Sequence, residues 1–346
     1  MFNYRAKVRF EFKIQNPNLL CVYSIAKMCK KCKEEKVLKD ISKNGYDRKW
    51  RERKLQNIEL GTRLEKLGYR NFSNVYQCSE VLRFLEQEDK SLKLHQAWFC
   101  KNRLCPICNW RRSMKYSAQL SEIIDVAIQK KPNSKFLFLT LTVRNCEGDE
   151  LKETMSAMTK AFNLMVKYKK PKKNLLGYVR SMEVTYNEER KDYHPHLHVL
   201  LMVKSTYFSG HGENYIAQDE WSTFWKRAMK LDYEPVVDVR KIYAKKHKQK
   251  YVDAIKEVAK YPMKPIEKMG TTEEEKLQIT DDLSKGLYKK RQLGFGGIFK
   301  EIRKELQLDD VESGDLINID DEQEESSLGK EIVAMWNWER KNYFIR

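Results

Sequence analysis

Apolar and polar positions alternate over residues 135–143, with Leu139, Leu141 and Val143 on one side and Thr140 and Thr142 on the other. A period of two sends successive side chains to opposite faces, so this run predicts a strand with one face in a core. Over 148–168 the period lengthens to that of an amphipathic helix, ended by a basic loop at 169–173. Strand patterning returns over 176–186, a polar turn spans 187–192, and 193–201 predicts the strand that pairs back. A second helix is predicted over 214–231, a further strand over 235–243 and a third helix over 251–261. The order β-α-β-β-α-β-α predicts an α+β fold whose core is a split β-α-β antiparallel sheet with helices on one face.

Four regions follow from the same pattern. Residues 1–75 are charged and helix-like, and 76–131 hold four of the eight cysteines and form a candidate zinc-binding subdomain. The sheet occupies 132–265 and a carboxy-terminal region 266–346. Within the first region, Arg48-Lys-Trp-Arg-Glu-Arg-Lys54 reads equally as a solvated helix face or a DNA contact. In the last, stretch 309–325 carries nine acids and no base, a pattern that fits a solvated linker, a self-repelling segment or a mimic of nucleic acid near a basic surface, and its role is left unassigned. Trp336, Trp338, Tyr343 and Phe344 predict that the chain then docks back onto a core.

Charge narrows the partner. Lys and Arg number 67 against 49 Asp and Glu, a net +18, which points to a polyanion, nucleic acid ahead of a membrane surface. No apolar run approaches the roughly 18 residues of a spanning helix. Met1-Phe-Asn-Tyr-Arg5 is too polar for a secretory signal, so a cytoplasmic protein is expected.

That compartment keeps thiols reduced, so the eight cysteines raise a question of metal rather than of disulfides. Cys29-Lys-Lys-Cys32 has no evident second half and is left unassigned. Cys100-x4-Cys105-x2-Cys108, with Pro106 fixing a turn, suits a structural Zn2+. Cys78 is preferred over His95 as fourth ligand, since an all-sulfur structural site is common and His95 falls in a predicted strand. Arg103, Arg111 and Arg112 would then be displayed on this subdomain to meet DNA.

Three of the six histidines fall in Tyr193-His-Pro-His-Leu-His-Val199. Two apart on a strand, His196 and His198 share a face and form a two-toothed metal clamp. If Glu183 lies opposite His198, and Thr185 opposite His196, a carboxylate joins the imidazoles and the set can hold Mg2+ or Mn2+. Further on, Glu257 and Tyr261 are four apart on a predicted helix, flanked by Lys260 and Lys264. Pro262 disfavours helical geometry at Tyr261, which frees the hydroxyl to reach out.

Phe138-Leu-Thr-Leu-Thr-Val143, His194-Pro-His-Leu-His-Val199 and Glu257-x-x-Lys-Tyr261-x-x-Lys264, in that order, resemble the three motifs of bacterial plasmid rolling-circle replication initiators of the HUH endonuclease superfamily. The cysteine segment with Trp110-Arg-Arg112 is similar to what precedes the first motif in the single-tyrosine branch that carries a Glu four residues before the Tyr. The resemblance implies a ferredoxin- or RRM-like sheet and a metal-dependent nickase. His196 and His198, with Glu183 as third ligand, would bind the catalytic ion. Tyr261 would attack one strand of the double-strand origin, leaving a 5′-phosphotyrosine and a free 3′-hydroxyl primer, and Glu257 would serve termination. Lys260 and Lys264 would offset phosphate charge, and His194 would stand behind the ligands. Implied partners are origin DNA, double- and single-stranded, then host helicase and DNA polymerase, with room for a homodimer and no membrane. Two other readings share features: an HUH transposase or relaxase has the metal site, although relaxases place the tyrosine before the histidines. A non-enzymatic zinc DNA-binding regulator leaves the histidine strand idle.

Overall fold

Helix α1 (Trp50–Lys66) and the short α2 (Phe72–Gln77) precede the strands β1 (Val81–Glu86) and β2 (Leu92–Ala97) and the long helix α3 (Pro106–Lys130). There follow β3 (Lys135–Thr142), α4 (Leu151–Met165), α5 (Lys169–Asn174), β4 (Leu175–Asn187), β5 (Asp192–Val203), α6 (Gln218–Met229) and β6 (Val237–Ile242). The last elements are α7 (Glu273–Gly286), β7 (Leu293–Gly297), α8 (Ile298–Glu305), β8 (Glu331–Asn337) and β9 (Asn342–Ile345). This computed structural model describes residues 36–42, 45–209, 213–242, 255, 257–259, 269–317, 319 and 329–346. Tyr261, Lys260, Lys264 and the pair Cys29 and Cys32 lie outside the described residues.

The larger sheet has the order β6-β3-β5-β4-β7, with every neighbouring pair antiparallel. Strands β3 and β4 therefore run parallel with β5 between them, which is the expected split β-α-β plan in an α+β fold. Leu139, Leu141, Leu197 and Val199 are fully buried, as are Met158 and Phe162 of α4 and Trp221 and Trp225 of α6. Each such side chain contributes about 1.5–3 kcal/mol on leaving water. The Trp225 Nε1–H donates to the Thr142 carbonyl at 2.8 Å and pins α6 to the end of β3.

Strand β7 was not legible as a strand, because Leu293-Gly-Phe-Gly-Gly297 is too rich in glycine. Its glycines are needed for close approach. Gly297 has φ 56°, and a Cβ there would lie 2.2 Å from the Leu176 carbonyl oxygen.

The smaller sheet, β2-β1-β8-β9, joins the strands before the cysteines to the carboxy-terminal hairpin. Trp336 and Tyr343 are buried in it, and Tyr343 Oη donates to the Ser79 carbonyl at 2.7 Å. The docking expected of the carboxy terminus is thus present.

The acidic stretch departs from expectation where it is described. Val311 and Leu316 are buried, and Lys115 reaches Asp309 at 2.8 Å. The Glu312 carboxylate accepts from Tyr116 Oη at 2.7 Å and from the Gln292 amide at 2.8 Å, and pairs with Arg103. Interspersed apolar residues and opposing cations turn this part of the stretch into a packed strap.

The β4–β5 register also needs correction. Glu183 lies opposite His196 and Ser181 opposite His198, two residues from the expected pairing. The turn closes earlier because Asn187 Oδ1 accepts from the amides of Glu189 at 3.0 Å and Arg190 at 2.9 Å. A two-residue slip preserves the face, so Glu183 still projects beside the histidines.

Candidate active site and a four-cysteine centre

On the face of the sheet opposite Leu197 and Val199, the Nε2 atoms of two imidazoles converge on one carboxylate. Glu183 Oε2 lies 3.3 Å from His196 Nε2 and 3.0 Å from His198 Nε2. Each ring's other nitrogen is engaged. His196 Nδ1 is 3.2 Å from the His194 carbonyl, an acceptor, so a neutral ring carries its proton there and keeps the Nε2 lone pair outward. His198 Nδ1 meets Thr140 Oγ1 of β3 at 3.3 Å. Such partners orient metal-binding imidazoles.

His194 is held further out, its Nδ1 2.9 Å from Asn145 Oδ1, while Asn145 Nδ2 donates to Asp192 at 2.6 Å. Burial, then the neighbouring His196, lowers the pKa of His194 below the ordinary imidazole value.

The segment after β6 brings a second carboxylate, with Glu257 Oε1 3.7 Å from His198 Nε2. Its backbone is tied to α3, where Ser113 Oγ donates to the Ala259 carbonyl at 2.8 Å. The separations of Glu183 from His196 and from His198 fit neighbouring ligands of a small octahedral cation, whose bonds of about 2.1 Å put adjacent donors about 3 Å apart. Two nitrogens and hard oxygens suit Mg2+ or Mn2+, with positions left for other oxygens.

Cys78, Cys100, Cys105 and Cys108 form the other donor set, and none of the four is in a disulfide. Cys78 caps the end of α2 and Cys105 is the N-cap of α3, whose first residue is Pro106. Sulfur separations are 3.6 Å for Cys78–Cys108 and Cys100–Cys108, and 3.7 Å for Cys78–Cys105. A tetrahedral shell with Zn–S bonds of about 2.3 Å has edges of about 3.8 Å. The amides of Cys100 and Lys101 donate to Cys78 Sγ at 3.4 Å and Cys108 Sγ at 3.3 Å. His95 is exposed on β2, and Cys78 completes the cluster.

Hydrogen bonds from the neighbouring thiols hold Cys78 below the ordinary thiol range, while burial pushes Cys105 and Cys108 up. Buried Lys54, its own pKa lowered by burial, donates to the Cys78 carbonyl at 2.8 Å and brings positive charge to the sulfurs.

The arginines beside this cluster are not displayed. Arg111 and Arg112 are each 1 % exposed. Arg111 donates to the carbonyls of Leu316 at 2.8 Å and Ile317 at 2.6 Å, and Arg112 to those of Lys101 at 2.6 Å and Asn102 at 3.2 Å. Arg103 is half-buried against Glu312. Loop carbonyls around the cysteines need donors, and the nearest guanidinium groups satisfy them.

The sequence pattern assigned no role to Asn145 or Ser113, and it placed Lys54 on a solvated or DNA-contacting helix face, whereas Lys54 and Trp50 are buried. The alternation of β3 already placed Thr140 on the histidine side.

Fold and sites together define an α+β protein with two metal-capable centres, one all sulfur and one of imidazole and carboxylate. The family model described as replication protein matches residues 91–344, and the chain belongs to that family of plasmid replication initiators, as the motif resemblance implied. It is 51% identical over 315 residues to protein rep of Streptococcus pneumoniae serotype 2, covering 90% of this chain and 97% of that one. Protein rep of Lentilactobacillus hilgardii is 47% identical over 314 residues, 90% and 99% of the two chains. Protein rep of Lactiplantibacillus plantarum is 46% identical over 317 residues, 89% and 99%. No solved structure matches the chain. Among the described residues, no helix is long and apolar enough to cross a membrane.

Proposed function

We propose that the chain initiates rolling-circle replication by nicking one strand of its plasmid's double-strand origin, with Tyr261 as nucleophile. The observation that carries this reading is the convergence of His196, His198, Glu183 and Glu257 on one sheet face in a member of this family. His196, His198 and Glu183 would hold Mg2+ or Mn2+, which when bound polarises the scissile phosphate.

The phenol of Tyr261 attacks phosphorus and loses its proton, while the bond to the 3′ oxygen breaks. A 5′-phosphotyrosine and a free 3′-hydroxyl result, and the aryl ester conserves the cut bond for rejoining. Lys260 and Lys264 offset the phosphate charge. The 3′-hydroxyl would prime host DNA polymerase behind a host helicase. Zn2+ on the four cysteines would be structural.

A single tyrosine is consumed by the first 5′ end, so release of a replicated circle needs another acceptor. Glu257, beside His198, would activate water for the second cleavage as general base. Glu257→Gln should keep initial nicking within about twofold and accumulate DNA longer than one plasmid unit, in an assay with origin plasmid and Mg2+ or Mn2+. Unit-length circles released at the parental rate would remove the termination role.

A further inference from the structure

The sheet carries a second built surface behind the metal face. Ser181 and Glu183 of β4 pair with His198 and His196, so Arg180 and Met182 project the other way. Between them, α4 and the chain joining α7 to β7 lies a cleft of about 410 Å³. Six of its twelve lining residues are Lys or Arg and none is acidic, which selects an anionic occupant. Met155, Met182 and Leu287 give it an apolar floor, and Ser156 and Thr159 add hydroxyls along α4.

Arg180 is the group that folding alone leaves unexplained. Its guanidinium lies against Gly294, where a Cβ would come 2.9 Å from Arg180 Cζ, so the glycine clears space for it. Burial lowers its pKa, and no described residue hydrogen-bonds or ion-pairs with it. Half-buried, this guanidinium is open to an anion that enters the cleft. Arg103 and Arg291 already pair with Glu312 and Asp310. Lys290 donates to Ser156 Oγ, and exposed Lys160 and Lys289 flank the cleft.

We propose that this cleft binds a nucleotide away from the cleavage face, its phosphate on Arg180, Lys160 and Lys289 and its base over Met155 and Met182. A guanidinium fork matches two phosphate oxygens, and methionine sulfur packs well on an aromatic ring. The volume lies within the range of small-ligand pockets. The nucleotide is either one unit of a single-stranded DNA or a free nucleoside phosphate, and neither depends on the nicking reading.

Titration calorimetry on the full chain tests this with two probes, a thymidine homo-oligonucleotide without origin sequence and ATP. Arg180→Met, and separately Lys160→Glu with Lys289→Glu on the exposed rim, should each weaken one probe roughly tenfold or more. Loss for the oligonucleotide alone assigns the cleft to a DNA strand, and loss for ATP assigns it to a free nucleotide. Lys300→Glu with Lys304→Glu makes the same charge change on exposed α8 and should leave binding within about twofold. Unchanged binding in the rim variant, or an equal loss in the α8 control, would overturn the proposal.

Discussion

The two donor clusters of this protein are built on opposite plans. The four sulfurs lie in a loop and two helix ends, mostly buried, and they receive backbone amides, so the cluster is closed. The imidazoles and Glu183 stand on adjacent strands of a rigid sheet, and the Glu257 side chain beside them is 40% exposed. Closed sites stabilise a fold, and sites that keep open positions can take a substrate. The two are also joined, since α3 begins at the cysteines and its Ser113 holds the Ala259 carbonyl two residues beyond Glu257. The closed cluster therefore helps to position the open one.

Removing a sulfur should have the largest effect. Cys105→Ser is expected to lose the ion of that centre and on the order of 4–5 kcal/mol of stability, read by elemental analysis and denaturant unfolding. Retention of both ion and midpoint would erase the distinction between the centres. The arginines sharpen the same contrast. Arg112→Met should cost about 3 kcal/mol, because carbonyls of Lys101 and Asn102 lose a charged donor, yet leave nonspecific DNA affinity per folded molecule unchanged. A stable variant with weakened DNA binding would restore the displayed role expected from sequence. On the open side the change is smaller. Thr140→Val removes the hydroxyl beside His198 Nδ1 and should lower activity or Mn2+ affinity about tenfold without moving the unfolding midpoint. Unaltered Mn2+ titration and activity would show that Thr140 is only a strand residue.

Much of this was legible in the sequence because it rests on short-range periodicity. Alternation in β3 and β5 gave the sheet and the histidine face, and the cysteine spacing gave the sulfur cluster. The rest depends on contacts distant in sequence. The register turned on Asn187 capping its own hairpin, which alternation cannot report, and Arg111 turns inward to the carbonyls of Leu316 and Ile317, some 205 residues away. Likewise the acidic stretch looked solvated because its counter-charges, Arg103 and Lys115, come from a different region.

The central claim, that the open cluster serves a tyrosine nucleophile, is tested most directly by mapping the covalent adduct. Protein incubated with a single-stranded origin oligonucleotide and Mn2+, then digested, should yield one DNA-linked peptide bearing Tyr261. Tyr261→Phe should lose the adduct, as should His196→Ala with His198→Ala, while that double variant keeps the ion of the sulfur cluster. An adduct on another tyrosine such as Tyr251, or full adduct yield without the two histidines, would contradict the account.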